Sequence, residues 1–546
     1  MDSKWISTVA SIWIQSASGS SYTFGIYSSV LKSSQSYDQS TLDTISVFKD
    51  VGANVGILSG LLYSAVVFPN RPRHHRHHPL QIAGPWVVHA AGAVQCFAGY
   101  FLLWATVVRL IEPPVLLVCL FMLVAAHGQT FFNTANVVSG VQNFQDFSGT
   151  IVGILKGFLG LSGAILIQVY DTLCEGEPST YILILALTPT LVSLLLMTLV
   201  RIYEQNNSVY QDKKHLNAFS AVALIIAGYL MILILLENIF GLPLSVRIIT
   251  FMLLLLLLAS PLGIAIRAQR EELSERLLLS SSEESSPTDS SKVIVSSKLE
   301  DPSEYHEMPE FDDNSDKYED SDISLFQAVR TWNFWLIFVA TVCGMGSGLA
   351  TINNISQIGE SLSYTTIAVN SLVSLWSIWN FLGRFSAGYV SDALLHKRGW
   401  PRPIFMAITL GIMSIGHLIV ASGFPGNLYI GSVLVGICYG SQWSLMPIIS
   451  SEIFGVRHFG TIFNTIAIAS PVGSYIFSVR VIGYFYDKEA SGEDNSCYGT
   501  RCFMISFLIM ASVAAFGCLV AVFLFFRTRR FYRQVVLRRL QHSLRS

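Results

Sequence analysis

The sequence predicts an all-α protein embedded in a lipid bilayer, and two observations carry that prediction. Of its 546 residues, 52% are hydrophobic and only 13% charged, with a mean hydropathy of +0.52. A soluble domain carries about 25% charged residues to cover its surface. The apolar residues also fall in long runs, and a helix needs about 20 predominantly apolar residues to cross a bilayer. The net charge of -2 shows no basic excess that would point to nucleic acid.

Taken in order, the first run covers residues 5–31. It exceeds the roughly 7–15 apolar residues of a signal peptide and lacks a small-residue cleavage site, so it reads as a first span. Spans near 42–67, 83–108, 113–138, 150–170 and 181–203 complete a set of six within residues 1–203. Two more runs, 216–236 and 246–267, occupy 204–268. Composition then changes abruptly. Residues 269–327 include SSSEESSPTDSS and EFDDNSDKYEDSD, and such a segment cannot bury enough apolar surface to fold alone. It reads as a disordered acidic cytoplasmic linker. Six further spans, near 330–352, 364–390, 403–422, 426–449, 461–485 and 502–526, fill residues 328–527, and a basic tail takes 528–546. In each half the second span precedes a basic loop, RPRHHRHH at 71–78 and HKRGWPR at 396–402. Two parallel six-helix repeats are the organisation of the major facilitator fold. The expected architecture is therefore two six-helix bundles, two extra transmembrane helices and the linker.

Orientation follows from lysine and arginine, which are retained on the cytoplasmic side. With the N-terminus inside, Arg71, Arg73, Arg76, Lys213, Lys214, Lys397, Arg398 and Arg402 all fall inside, as does the tail RTRRFYRQVVLRRLQHSLRS. The loops then outside are short or acidic, such as DTLCEGEPST at 171–180. Both termini are expected in the cytoplasm, with the plasma membrane and an internal membrane equally compatible. Asn354-Ile355-Ser356 is a glycosylation sequon on the outer face, next to a span. Cys497 and Cys502 share an outer loop, where they form either a disulfide or two free thiols. The eight cysteines have no metal-site spacing, the histidines of 71–78 read as a solvated basic loop, and no metal or cofactor is expected.

Ionisable residues inside spans are costly and usually functional. Lys49 and Asp50 are neighbours in the second span, where they neutralise one another or stand at an outer gate. Lys156, in GTIVGILKGFLGLSGA, lies two turns into its span, about 9 Å deep at 1.5 Å per residue. It either snorkels to the cytoplasmic interface or joins the closely packed face marked by Gly153, Gly157, Gly160 and Gly163. Arg384, in WSIWNFLGRFSAGYVSD, shares a helix face with Asn380. It either takes a substrate carboxylate bidentately or belongs to a structural network with Asp392. Arg480 reads as snorkelling to the outer interface.

Gly388-x-x-x-Asp392, followed by Lys397 and Arg398, resembles the loop motif of the major facilitator superfamily. The resemblance implies that Gly388 permits close helix approach and that Asp392 and Arg398 latch the cytoplasmic side. The family's basic residue directly after the aspartate is Ala393 here, and the first-half loop lacks the aspartate. The segments FGIYSSVLKSSQSYDQSTLDTISVFKDVGANVGILSG, VGILKGFLGLSGAI and YGSQWSLMPIISSEIFGVRHFGTIFN resemble the plant nodulin-like facilitator proteins of the nuclear-fusion-defective type. NFLGRFSAG is similar, more distantly, to the eighth helix of monocarboxylate transporters. That likeness implies substrate anion binding at Arg384. The acid that would carry a proton falls on Asn380, which cannot carry one.

No GxxxxGK[ST], HExxH or GxSxG occurs, so neither an ATP-driven pump nor a hydrolase is expected. The resemblance implies secondary transport of a small anionic organic solute by alternating access, with Arg384, Lys156 and Asn380 at the substrate. A receptor or scaffold on a former transporter fold is the rival reading. A polar cavity lined by Arg384 and facing residues, open to one side, would mark the first, and a filled, apolar midplane the second.

Overall fold

The computed structural model describes residues 3–68, 84–174, 177–203, 209–284, 323–489 and 497–536. The basic loop 71–78, residues 285–322 of the acidic segment and the end of the tail lie outside the described residues. Among the described residues every regular element is helical. Twelve of these helices are long and apolar enough to cross a membrane.

The first expected span is broken into α1 (Lys4–Ala17) and α2 (Phe24–Gln35) by a short 3-10 turn at Ser20–Thr23. The break follows from SASGSS, whose serines bond their own backbone and whose Gly19 has no side chain to hold a turn of helix. The second span is α3 (Gln39–Asn54) and α4 (Ile57–Val67). Then come α5 (Pro85–Val107), α6 (Val115–Asn143), α7 (Ser148–Leu173) and α8 (Pro178–Leu196). The extra pair is α9 (Val209–Phe240) and α10 (Leu244–Glu284). Because α10 continues to Glu284, residues 269–284, expected in the linker, are helical; LSERLLL still supplies good helix formers there.

The second half opens with the short α11 (Leu325–Val329), followed by α12 (Trp332–Thr341), a π turn at Val342–Gly346 and α13 (Ser347–Ser361). Next come α14 (Thr366–Arg398), α15 (Pro403–Ser422) and α16 (Asn427–Phe454). The eleventh span of the repeat pattern is assembled from α17 (Phe459–Ala467), α18 (Ala469–Ser474), a π segment (Tyr475–Gly483) and α19 (Tyr484–Glu489). The last is α20 (Arg501–Phe531), and a π turn at Tyr532–Val536 ends the described chain. The two expected spans absent from the twelve are the broken α1–α2 and α14. The latter carries Asn380, Arg384 and Asp392 within its length.

Two apolar cores cross the boundary between the halves. One joins Tyr63, Val137 and Val138 to Met406, Leu445, Phe459 and Ile462. The other gathers Trp5, Ile151, Phe219, Ile226, Leu254, Phe381 and Phe385, so α9 and α10 sit against α1, α7 and α14. Their seating is reinforced at the membrane edge by Lys4 with Asp212 at 2.6 Å and Trp5 Nε1 donating to Glu272 at 2.6 Å.

Candidate functional site

Three local features converge on Arg384. The first is the break after α1, which lays Tyr22 across α7, where a Cβ on Gly163 would lie 3.1 Å from the Tyr22 Cβ. The second is the glycine face of α7. Cβ atoms at Gly153, Gly157 and Gly160 would meet Phe385, Phe381 and Arg384 of α14 at 3.1, 3.0 and 3.5 Å. Small residues let two helix backbones approach closely in a membrane, and here they bring α14 within reach of α7's own carbonyls. The third is α16, whose Ser444 hydroxyl donates to the Arg384 carbonyl at 2.7 Å.

Arg384 is 1% exposed. Its Nε donates to Asn380 Oδ1 at 2.8 Å, Nη1 to the backbone oxygen of Lys156 at 3.0 Å, and Nη2 to the Tyr22 hydroxyl at 3.2 Å. One N–H of each Nη has no partner among the described residues. The guanidinium carbon stands 5.7 Å from the Trp443 ring centroid. Lys156, also 1% exposed, points its Nζ at the rings of Trp443 and Phe463, 5.0 and 5.4 Å from their centroids. Desolvated cation–π contacts of this kind contribute about 2 kcal/mol. Among the described residues no carboxylate pairs with either cation, and Trp443 Nε1 is buried without a partner. Lys156 therefore points into the molecule; of the two expected readings, snorkelling does not describe it. Tyr22 is 45% exposed although its hydroxyl touches the fully buried Arg384. Space thus reaches the arginine's neighbour.

Toward the end that holds Asp392, the halves are locked together. Asp392 Oδ1 accepts from Gly149 N at 3.1 Å, and its Oδ2 accepts from both the Thr150 amide and, at 2.6 Å, the Thr150 hydroxyl. It thereby satisfies backbone donors left open at the start of α7. Gly388 lets this happen: a Cβ on Gly388 would stand 2.2 Å from the Gly149 carbonyl oxygen. The basic partner differs from the expected one. Arg398 is exposed and stacks 5.9 Å from the Trp400 ring, while Arg402 pairs with Asp392 and Glu452, both at 2.6 Å. The cause is the turn. Gly399 ends α14 at φ +65, a left-handed conformation open to glycine, and Pro403 starts α15. The chain folds back, and Arg402 rather than Arg398 comes under Asp392. Tyr532 extends the network by donating to Glu452 Oε2 at 2.7 Å. A second contact between the halves joins α17 to α6: Asn464 Nδ2 donates to Thr134 Oγ1 at 2.8 Å.

Other expected residues lie elsewhere. Lys49 and Asp50 pair at 3.1 Å, with Lys49 5.1 Å from the Phe24 ring centroid. Asn354 is within α13, and its amide nitrogen donates to the Ala350 carbonyl and to the Ser478 hydroxyl, both at 2.7 Å. A glycan there would have to displace both bonds. Cys497 and Cys502 are joined, with Cα atoms 5.9 Å apart, and Arg480 is exposed. Sequence reasoning passed over Tyr22, Trp443, Arg402, Glu452 and Tyr532. The Ser/Gly break beside Tyr22 and the acid in SSEIFG were the available signals.

The nodulin-like family profile matches residues 4–266, and that of the NFD4 C-terminal domain matches residues 319–534. Protein NUCLEAR FUSION DEFECTIVE 4 of Arabidopsis thaliana is 24% identical over 97% of this chain and 90% of its own length. A Gibberella zeae protein named "Probable transporter MCH1" is 31% identical, over 33% of this chain and 37% of its own. The chain thus spans about a third of that relative. The solved proton:xylose symporter XylE, of the major facilitator superfamily, superposes over 94% of each chain with a TM-score of 0.52 at 12% identity, a likeness of fold alone. The chain is an integral, multi-pass membrane protein of the major facilitator fold, and its residues 4–266 match the nodulin-like family.

Proposed function

We propose that this protein carries a small organic anion across its membrane by alternating access. Arg384 anchors the anion, Asn380 holds the guanidinium in place and Lys156 is the second cation. The observation that carries the reading is the pair of fully buried basic side chains on α7 and α14, one from each half, with no carboxylate paired to them among the described residues. Isolated buried cations are costly, and an arriving anion offsets that cost. The fragments of MCH1 likeness, in a protein named as a probable transporter, agree with this.

The mechanism follows from which contacts must change. Asp392, bonded to the start of α7 and to Arg402, holds the two halves together at one end, the end we take as cytoplasmic. The half-exposed Tyr22 lets solute approach Arg384 from the other side. Release toward the Asp392 end requires α14 to part from α7. That movement breaks the Asp392 bonds and the Arg384 bond to the Lys156 carbonyl together. The buried basic pair and the exposure of Tyr22 beside it are what support this reading over a scaffold. The test is uptake of radiolabelled small carboxylates and amino acids into proteoliposomes, with and without a pH gradient. Saturable uptake of an anion, lost in Arg384→Gln, is expected. No uptake by folded, correctly inserted protein would turn the reading toward the scaffold.

A further inference from the structure

The charge inventory of the site says more about the solute than that it is anionic, and the argument rests on the reading just given. Lys156 and Arg384 share one neighbourhood: both lie against the Trp443 ring, at 5.0 and 5.7 Å, and Arg384 Nη1 bonds the Lys156 carbonyl. The groups around them are neutral. They are Asn380 on Nε, the Tyr22 hydroxyl on Nη2, the rings of Trp443 and Phe463, and the unpartnered Trp443 Nε1. The carboxylates that could compensate them are engaged elsewhere. Asp50 is paired with Lys49 at 3.1 Å, and that pair adds no net charge. Asp392 and Glu452 are held by Arg402 at the closed end. Two basic side chains, one from each half, therefore stand without a carboxylate partner in one buried site.

We infer that the preferred solute is a dianion, either a dicarboxylate or a phosphate monoester, rather than a monocarboxylate. A monoanion bound to Arg384 would leave the Lys156 amine buried with no anionic partner when the site closes. An unpaired charge in a water-poor site is strongly unfavourable. A dianion reaches both: one charged group takes the two open Nη N–H groups of Arg384 in a fork, and the second takes Lys156. Selectivity for charge number then lies on Lys156, and selection for an anion on Arg384.

The test is competition for uptake in proteoliposomes at a pH where both carboxyls of succinate are ionised. Succinate and glycerol 3-phosphate are compared with lactate in the wild-type protein, which needs no variant to give an answer. Inhibition by a dianion at roughly tenfold lower concentration than by lactate is expected, since a site with a second cation rejects a ligand that leaves it unpaired. Stronger inhibition by glycerol 3-phosphate than by succinate assigns the phosphate monoester; the reverse assigns the dicarboxylate. Lys156→Gln should abolish the preference and bring lactate level with succinate, while Lys156→Arg, which keeps the charge, should retain it. Equal or stronger inhibition by lactate in the wild type overturns the dianion and leaves anion transport standing. Inhibition by no anion at all overturns both.

Discussion

Arg384 and Arg402 are both nearly inaccessible arginines, and they differ in what surrounds them. Arg402 has two carboxylates, the Ser391 hydroxyl and, through Glu452, the Tyr532 hydroxyl. Arg384 has an amide, a carbonyl and a phenol. The first is a satisfied structural charge and the second an incomplete one. Removing one member of a buried ion pair leaves an uncompensated charge and costs about 3–5 kcal/mol. Arg402→Met should therefore lower the unfolding temperature in detergent sharply. The same change combined with Asp392→Asn and Glu452→Gln should recover much of the loss. Equal destabilisation of single and triple variants would show that the network's charges do not matter. Charges at membrane depth are legible from sequence, and Lys156 and Arg384 stood out on that ground, whereas Asp392 stood out through its resemblance to the facilitator loop motif. Their partners were not legible. Arg402 lies only four residues beyond Arg398, and choosing between them depends on the Gly399 turn folding the chain back, a three-dimensional fact.

At the scale of elements, the hydrophobic runs located the spans because helix length is set by bilayer thickness. Interruptions were harder to see. The break at Ser20–Thr23 and the π segments at Val342–Gly346 and Tyr475–Gly483 lie inside apolar runs that read as continuous. The breaks matter, since that in the first span delivers Tyr22 to Arg384. The glycine face of α7 was legible as a packing surface, and its partner is α14. A Cβ at Gly160 finds its nearest atoms at 3.5 Å, ordinary contact, so Gly160→Ala should fold and transport. Gly160→Leu overfills that space, should cost about 1–3 kcal/mol, and should abolish uptake by pushing Arg384 from the Lys156 carbonyl. A fully active leucine variant would show that the α7–α14 spacing does not position the site. Gly149→Ala is tighter, with a Cβ 2.6 Å from both the Gly388 oxygen and Arg402 Nη1. It should loosen the closed end and raise maleimide labelling of a cysteine placed there.

For the whole molecule, the Asp392 seam closes one end, and a chain of contacts places both described termini there. Ser7 bonds Arg201 near the start of the chain, Asn143 bonds the same carbonyl, and Tyr532 bonds Glu452 beside Arg402. The charge bias takes this end as cytoplasmic. A cysteine replacing exposed Lys397 should then resist an impermeant maleimide on sealed cells, whereas one replacing Glu112, in the loop between α5 and α6, should react. The opposite pattern would invert the orientation. The extra helices α9 and α10 were legible as apolar runs, but their seat against α7 and α14 was not, because a uniformly apolar helix shows no preferred face. The central claim is that an anion held by Arg384 passes from one side to the other, and counterflow measures it most directly. Proteoliposomes loaded with an unlabelled dicarboxylate should take up labelled dicarboxylate transiently above equilibrium with the wild-type protein and not with Arg384→Gln. Counterflow undiminished in that variant would contradict the account and move the substrate site elsewhere.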